Sequence, residues 1–302
     1  MHQYLGYIAA YGWCFVTAFS MLLTSEVSQR LSPFIVCFFT FSLATSAFLI
    51  YNASSLSELW CRIREKQVMF PIVGINVSSF ISWGLMIYPL TYLQPTLVAT
   101  LILGINPISS AVITHLFLKQ PSPYKLVGIS SALFIVIVFL SFRTLLGDNS
   151  IPGASHYQIM FSLLCCYLSG IATSVNNILT KKIMENDFGI IDVICMRFYL
   201  TILISGIIGF TIHPVTLNQD LVVSILLITL IFVIVPLVLL QVALKQLDPL
   251  RVAIISPLMP VLVVLMQLYD GKFSVLPYST ISATLVTWVL VSLGTYWAMR
   301  KV

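Results

Sequence analysis

The residues of this chain that could do chemistry are polar and aromatic side chains set at helical spacing inside apolar sequence. One stripe places five residues three or four positions apart, on one face of a helix: Ala10, Trp13, Thr17, Ser20 and Thr24. A second stripe follows 157 residues later, with Tyr167, Gly170, Ser174, Asn177 and Lys181 at the matching positions. Hydroxyl, amide and aromatic groups of this kind form hydrogen bonds and stacking surfaces. The pattern indicates the binding of a small polar molecule.

Other apolar segments carry similar groups, and together they define a candidate substrate-binding set. Its members are Trp13, Thr17, Asn76, Trp83, Asn106, Tyr167, Ser174, Asn177, Gln241 and Ser256. Trp and Tyr would supply stacking walls, and the other side chains would supply hydrogen bonds. The alternative is that these residues only hold helices together, through interhelical hydrogen bonds worth about 0.6 kcal/mol each.

The segments that must position these residues are membrane-spanning helices. The chain has 302 residues, of which 59% are hydrophobic and 8% charged, and its mean hydropathy is +1.02. Soluble globular proteins typically have about 25% charged residues. Most apolar runs are close to the length of about 20 residues that a helix needs to cross a bilayer. The chain is therefore predicted to be an all-α, multi-pass integral membrane protein, in the inner (cell) membrane if bacterial.

Ten apolar segments, named helix 1 to helix 10 in chain order, are predicted to span the membrane. They cover residues 5–24, 33–51, 69–90, 94–118, 124–145, 158–180, 190–211, 219–244, 249–269 and 278–299. A polar break after residue 146 separates a first half, 1–146, from a linker, 147–157, and a second half, 158–302. The first segment lacks a basic region before it, so we expect it to be retained as a span.

Lysine and arginine predict the orientation. If all ten helices cross, one side of the membrane holds twelve of these residues and the other side holds three. Cytoplasmic loops carry the excess of positive charge. Both termini are therefore predicted to be cytoplasmic. The net charge of +5 comes from these loops, so no nucleic-acid partner is expected.

One short motif occurs twice, 154 residues apart. Residues 93–99 read Leu-Gln-Pro-Thr-Leu-Val-Ala, and residues 247–253 read Leu-Asp-Pro-Leu-Arg-Val-Ala. A second proline follows each copy inside the next apolar run, as Pro107 and Pro260. Five helices per half make the second half enter the membrane from the opposite side, which predicts two inverted repeats. Because a proline frees backbone carbonyls, Pro107 and Pro260 are candidate hinges, although a kink that only improves packing is the alternative.

The sequence offers little support for catalysis, cofactor binding or ion coupling through a buried acid. It has no phosphate-binding loop, metal-ligand cluster or catalytic triad pattern. We therefore expect no enzyme activity, cofactor or metal. All ten carboxylates fall in loops or near helix ends, so no coupling acid is evident. Asp192 and Arg197, near the start of helix 7, are predicted to be a structural ion pair at the cytoplasmic mouth or, for the arginine, a snorkelling side chain; an ion-coupling device is the alternative.

The sequence resembles the drug/metabolite transporter superfamily, specifically its ten-helix EamA-type branch. The likeness rests on the two five-helix halves, the repeated Leu-x-Pro segments with their later prolines, and the junction Leu118 to Gly128 between helices 4 and 5. The chain departs from the family pattern at Gln120, where a glutamate is usual, and at Phe39, where an arginine is usual; Arg197 keeps that arginine in the second half. The resemblance implies a central cavity lined by helices 1, 3, 4, 6, 8 and 9.

These observations together predict a secondary transporter. We expect it to move a small neutral or zwitterionic, amino-acid-like metabolite by alternating access, outward rather than inward. Its partners would be that small molecule and the lipid bilayer, with the oligomeric state left open. A scaffold or lipid-handling protein of the same fold, which does not transport, is the alternative. A cavity open sideways to lipid would mark a protein of that kind.

Overall fold

The structure is a computed structural model that describes residues 2–65, 68–118, 124–148, 151–212, 219–270 and 277–299. Nine helices within these ranges are long and apolar enough to cross a membrane: Tyr4–Ser28, Pro33–Tyr51, Met69–Tyr92, Pro95–His115, Val127–Leu145, His156–Met184, Ile190–Thr211, Gln219–Gln246 and Pro249–Tyr269. The tenth predicted span forms the helix Tyr278–Met299, whose described apolar stretch is the shortest of the ten. The prediction of an all-α, multi-pass membrane protein is thereby confirmed.

Four of these helices are interrupted. Helix 3 contains a wide, π-helical turn at Phe80–Gly84, and helix 8 contains another at Ile228–Ile234. Helix 7 is divided into Ile190–Met196 and Tyr199–Ile212. Helix 9 is divided into Pro249–Ile255 and Leu258–Asp270. Irregular backbone inside a membrane is tolerated where it is buried in protein or lines a cavity, so these interruptions point to the middle of the bundle.

The break in helix 9 follows from its prolines. Pro257 has no N–H with which to reach the carbonyl of Ala253, four residues earlier. The hydroxyl of Ser256 donates to that carbonyl instead, at 2.8 Å. The break thus lies at residues 256–257, and Pro260 lies in the first turn of the second segment. Pro107, by contrast, lies inside the continuous helix Pro95–Leu118, so the two candidate hinges differ in their local structure.

The two copies of the Leu-x-Pro motif adopt the same backbone conformation. Leu93 and Leu247 are both extended, with φ and ψ of −121° and 153° and of −119° and 158°. Each donates its N–H to the carbonyl four residues before it, at 2.8 Å, and each precedes a proline that opens the next helix. Helices 3 and 4 are therefore joined in the same way as helices 8 and 9.

Helices 4 and 6 pack against each other at Gly170. A Cβ atom at this position would lie 1.9 Å from Cγ2 of Ile105 and 2.6 Å from the backbone oxygen of Ile102. Only a glycine permits this approach. Gly170, which the sequence places on the polar stripe of helix 6, therefore serves helix packing.

A short amphipathic helix, Leu56–Glu65, connects helices 2 and 3. Its Arg62 reaches the loop between helices 6 and 7, where its Nη2 donates to the carbonyl of Asp187 at 2.6 Å. Its guanidinium also lies over the ring of Phe188, 4.6 Å from the centroid, and Nη1 is 3.9 Å from the carboxylate of Asp192. This end of the bundle is called the Arg62 end below.

Candidate functional site

A cavity lies in the middle of the bundle. Its lining consists of Trp13, Thr17, Met21, Ser82, Trp83, Met86, Ile102, Leu103, Thr173, Asn176, Asn177, Arg197, Leu240 and Met259. Helices 1, 3, 4, 6, 8 and 9 all contribute, as the family resemblance implies. Helix 7 contributes as well, through Arg197, and helices 5 and 10 supply no lining residue in the described part of the chain. The first five and the last five helices therefore share the cavity.

The cavity is narrow in this conformation. Its volume is about 40 Å³, which gives room for about three water molecules. Pockets that hold metabolites typically have about 300–1,000 Å³. A metabolite could therefore enter only if the surrounding helices moved apart.

Four predicted binding residues line this cavity, namely Trp13, Thr17, Trp83 and Asn177. The Nε1 of Trp13, the Oγ1 of Thr17 and the Nδ2 of Asn177 are buried and have no hydrogen-bond partner in the part of the chain that the structure describes. A buried donor without a partner costs about 1–3 kcal/mol. A polar molecule or a water in the cavity could supply the missing partners. Trp83 forms one wall and meets Phe41 edge to face, with ring centroids 5.6 Å apart.

Arg197 is the charged residue of this lining. It is 1% exposed and occupies the break in helix 7. Its Nη2 donates to Oδ1 of Asn176 and its Nε donates to the hydroxyl of Ser79 at 3.4 Å. Its Nη1 has no hydrogen-bond partner among the described residues. No carboxylate of the described side chains forms an ion pair with it. A buried charge without a counter-charge is costly, so an ion here needs a functional or structural reason.

The predicted pairing of Asp192 with Arg197 is wrong. Asp192 instead accepts hydrogen bonds from the amide of Asn52 at 3.2 Å and from the N–H of Gly189 at 2.9 Å, and it lies close to Arg62. The reason is the geometry of helix 7. Arg197 lies five residues beyond Asp192, so it is about 7.5 Å deeper in the bundle and reaches helices 3 and 6 instead.

Asn76 holds the break in helix 7 open. Its Nδ2 donates to the carbonyl of Met196 at 2.6 Å, and its Oδ1 accepts from the N–H of Leu200 at 3.4 Å. In an uninterrupted helix these two backbone groups would bond to each other, because they are four residues apart. The side chain of Asn76 therefore takes the place of one backbone hydrogen bond of helix 7. It does not line the cavity, but it positions Arg197 there.

Asn106, Ser174 and Ser256 meet in a separate polar cluster where helices 4, 6 and 9 come together. The hydroxyl of Ser174 donates to Oδ1 of Asn106 at 2.7 Å, or to its carbonyl at 2.9 Å. Nδ2 of Asn106 lies 3.5 Å from the hydroxyl of Ser256, and Ser110 adds a further hydroxyl at 3.3 Å. All four residues are fully buried. Here the structure favours the alternative that such residues hold helices together.

The last two predicted residues lie apart from the cavity lining. The hydroxyl of Tyr167 is 2.8 Å from the hydroxyl of Ser141 on helix 5. Gln241 is fully buried on helix 8, and neither its amide oxygen nor its amide nitrogen has a partner within the described ranges. The sequence does not separate these positions from the cavity residues, because all lie on polar faces of apolar helices.

The lining also contains polar residues that the sequence-based set leaves out, namely Ser82, Thr173, Asn176 and Arg197. Asn176 is the most connected of them, since its Nδ2 donates to Ser79 at 2.7 Å and to Ser78 at 3.2 Å. The sequence could have marked Arg197 as a cavity residue, because it lies seven residues into an apolar run. An arginine at that depth in a membrane costs free energy unless it faces the protein interior.

Contacts between the two halves lie on both sides of the cavity. At the Arg62 end, Arg62 and Asn52 bind the loop before helix 7. At the opposite end, the hydroxyl of Thr96, at the start of helix 4, donates to Oε1 of Gln267 on helix 9. Thr96 lies six residues before the lining residue Ile102, which is about 9 Å along the helix. The contact at each end must break or rearrange if that end opens.

Within the described residues no group of three or more His, Cys, Asp or Glu side chains could hold a metal ion. The cavity instead offers indole, amide, hydroxyl and guanidinium groups. These groups bind through hydrogen bonds, charge and stacking.

Comparison with known proteins supports the architecture. No family model matches the sequence, and no curated protein matches it. Solved structures do match, 26 chains in all. One of them, described only as the crystal structure of a protein, has 16% sequence identity and a TM-score of 0.68, over 97% of this chain and 95% of that chain. At this identity the likeness shows the fold alone, and this chain shares that fold over nearly its whole length.

Proposed function

We propose that the protein is a secondary transporter that moves a small zwitterionic or neutral organic metabolite by alternating access. The observation that supports this best is the central cavity, which both halves line and whose polar side chains keep buried, unpartnered hydrogen-bonding atoms. A solute between the halves would satisfy those atoms. The polar cluster where helices 4, 6 and 9 pack differs in this respect, because Asn106 and Ser174 pair with each other.

The narrowness of the cavity also supports alternating access. A solute can enter only after the halves separate, and contacts between the halves lie at both ends. Opening one end while the other stays closed would expose the cavity to one side of the membrane at a time. We further propose that the halves are inverted repeats, that both termini are cytoplasmic and that transport runs outward.

Helices 4 and 9 would act as the moving elements. Pro107 removes the hydrogen bond to the carbonyl of Leu103, a cavity residue. In helix 9, Pro257 and Pro260 weaken the turn that contains Ser256. Because the proposed inverted repeat sets helices 4 and 9 in opposite directions across the membrane, Pro107→Ala and Pro260→Ala should shift the accessibility of the cavity in opposite directions. Labelling of cysteine probes at the two mouths would test this, and equal labelling in both variants would count against the hinge role.

The transport proposal can be tested with purified protein in liposomes. Uptake and counterflow of labelled amino acids and nucleosides should exceed that of empty liposomes. Movement of polyanions alone would contradict the proposed substrate class, because the described cavity lining contains one cation.

Two substitutions in the lining connect transport to the cavity. Trp83→Ala and Asn177→Ala should reduce transport at least tenfold, the effect of losing about 1.4 kcal/mol of binding, while the melting temperature stays close to that of the unaltered protein. Ser131→Ala, at an exposed position on helix 5, is the matched control and should transport normally. Unfolding of both lining variants would instead favour a packing role.

A lipid-handling function is the second candidate. An open apolar groove of about 670 Å³ lies between helices 2 and 7, lined by Phe38, Tyr199, Ile202, Leu203, Gly206, Ile207, Phe210 and Thr211. An acyl chain would fit such a surface. If this groove carried the function, Gly206→Leu would abolish activity in a lipid-transfer assay, and the cavity variants would not.

A further inference from the structure

The guanidinium of Arg197 is anchored on one side and unpaired on the other. Asn176 and Ser79 bind Nη2 and Nε, which fixes the plane of the group, while Phe198 packs against it with its centroid 5.0 Å from Cζ. No described residue forms a hydrogen bond with Nη1. Arginine presents its donors as a rigid fork that suits a carboxylate. The protein therefore holds this fork in place without supplying the acid that would normally complete it.

The other unpartnered nitrogens of the cavity are also donors. Trp13 offers an indole N–H and Asn177 offers amide hydrogens, and Nη1 of Arg197 offers guanidinium hydrogens. A ligand that satisfies all three must supply acceptor oxygens. Because the guanidinium of Arg197 is positively charged, at least one of those oxygens should be anionic.

From this geometry we infer that Arg197 is the anion-binding residue of the cavity, and that the solute carries a carboxylate which pairs with it. This inference rests on the proposed transport function and narrows it, because neutral solutes without a carboxylate would then be poor substrates. A single cation suits one carboxylate, as in a zwitterion, better than a polyanion.

A purely structural arginine is the competing explanation. Such a residue would be completed by the protein, as Arg143 is by Asp148, with nitrogen to oxygen distances of 2.8 and 2.9 Å. An inorganic anion such as chloride is the other possible source of negative charge. The two sources share the same chemistry at Nη1 and must be separated by experiment.

The test compares matched solutes on purified protein in a low-salt buffer that contains neither chloride nor a carboxylate anion. Phenylalanine, leucine and glutamine are each compared with their α-amide and with the corresponding decarboxylated amine, by thermal stabilisation and by counterflow in liposomes. The carboxylate form should be preferred by about 10- to 100-fold, the effect of one charge-assisted hydrogen bond. Arg197→Gln should reduce that preference to less than about threefold, and Arg197→Lys should keep part of it, since the charge remains. Arg143→Gln is the control and should leave the preference unchanged.

Each result decides the inference. An unchanged preference in folded Arg197→Gln protein would overturn it, and so would equal binding of the acid and amide forms by the unaltered protein. Stabilisation by chloride alone, lost in Arg197→Gln, would assign the residue to an inorganic anion. If Arg197→Gln does not fold, the solute pairs on the unaltered protein and on Arg197→Lys still decide. Carboxylate binding without transport would contradict the proposed function only, whereas transport without carboxylate preference would contradict this inference only.

Discussion

Gly170→Ala tests the packing of helices 4 and 6 most directly. The added Cβ would lie 2.6 Å from the backbone oxygen of Ile102, whereas ordinary contact begins at 3.4 Å. The helices would have to separate by 0.8 Å (3.4 minus 2.6) at this point, because a backbone oxygen cannot rotate away. The side chain of Ile105, at 1.9 Å, would have to move further still.

The expected cost of this change can be stated as a free energy of unfolding. Overpacking costs about 1–3 kcal/mol, and alanine recovers up to about 1 kcal/mol through its helix propensity. The separation would also stretch the hydrogen bonds of Ser174 to Asn106, one turn away. We expect a net loss of about 1–2 kcal/mol.

Gly128→Ala provides a matched control on helix 5, since nothing lies within 4 Å of its added Cβ. This variant should be as stable as the unaltered protein, or more stable by about 0.5–1 kcal/mol. Both variants would be purified in detergent and unfolded by heat and by SDS titration, with helicity followed by circular dichroism. Equal stability of the two would refute the close approach of helices 4 and 6.

Three further predictions concern the break in helix 7 and the two ends of the cavity. Asn76→Ala should lower the free energy of unfolding by about 1–3 kcal/mol, because it leaves two partly buried backbone groups of helix 7 without a side-chain partner; a thermal melt unchanged from that of the unaltered protein would contradict this role. Arg62→Gln should favour opening at the Arg62 end by about fivefold, because it removes about 1 kcal/mol from a partly exposed contact. The measurement is the labelling of a cysteine placed at Thr173 by a membrane-impermeant maleimide, which should be faster from that side. Thr96→Val should favour opening at the opposite end, because it removes the bond to Gln267, and the same probe should then label faster from that side. Labelling that rises equally from both sides in either variant would show local loosening instead of a shift between two states.

The membrane class and the positions of the helices follow from the sequence because they depend on the length and apolarity of each run. The segment 94–118, for example, corresponds to the helix Pro95–Leu118. Ends differ by a few residues where polar residues continue a helix beyond the apolar run. Helix 6 extends to Met184 because Lys181 and Lys182 can continue it outside the apolar region.

The interruptions are harder to predict, because they depend on contacts between distant segments. Asn76 opens helix 7 by competing for its backbone groups, and nothing near Arg197 in sequence signals this. In helix 9 the sequence offers both Pro257 and Pro260. The break falls at the former because Ser256 can satisfy the carbonyl of Ala253 there.

Only part of the predicted binding set lines the cavity, again because the position of a side chain depends on contacts between distant segments. Helical spacing identifies a polar face but not the neighbour that the face meets. Asn177 lines the cavity, whereas Ser174, three residues away, bonds to helix 4. The spacing alone cannot divide these two roles, since both side chains are polar and buried.

Asn176 links the cavity residue Arg197 to helix 3. Its amide accepts from Arg197 through Oδ1 and donates to Ser78 and Ser79 on helix 3 through Nδ2. If the proposed carboxylate binds at Nη1, any shift of the guanidinium toward it would act on this amide and, through the amide, on helix 3. Under that proposal, one carboxamide would connect the bound solute to the packing of helix 3 against helix 6, which is a connection that a solute-driven change of conformation requires.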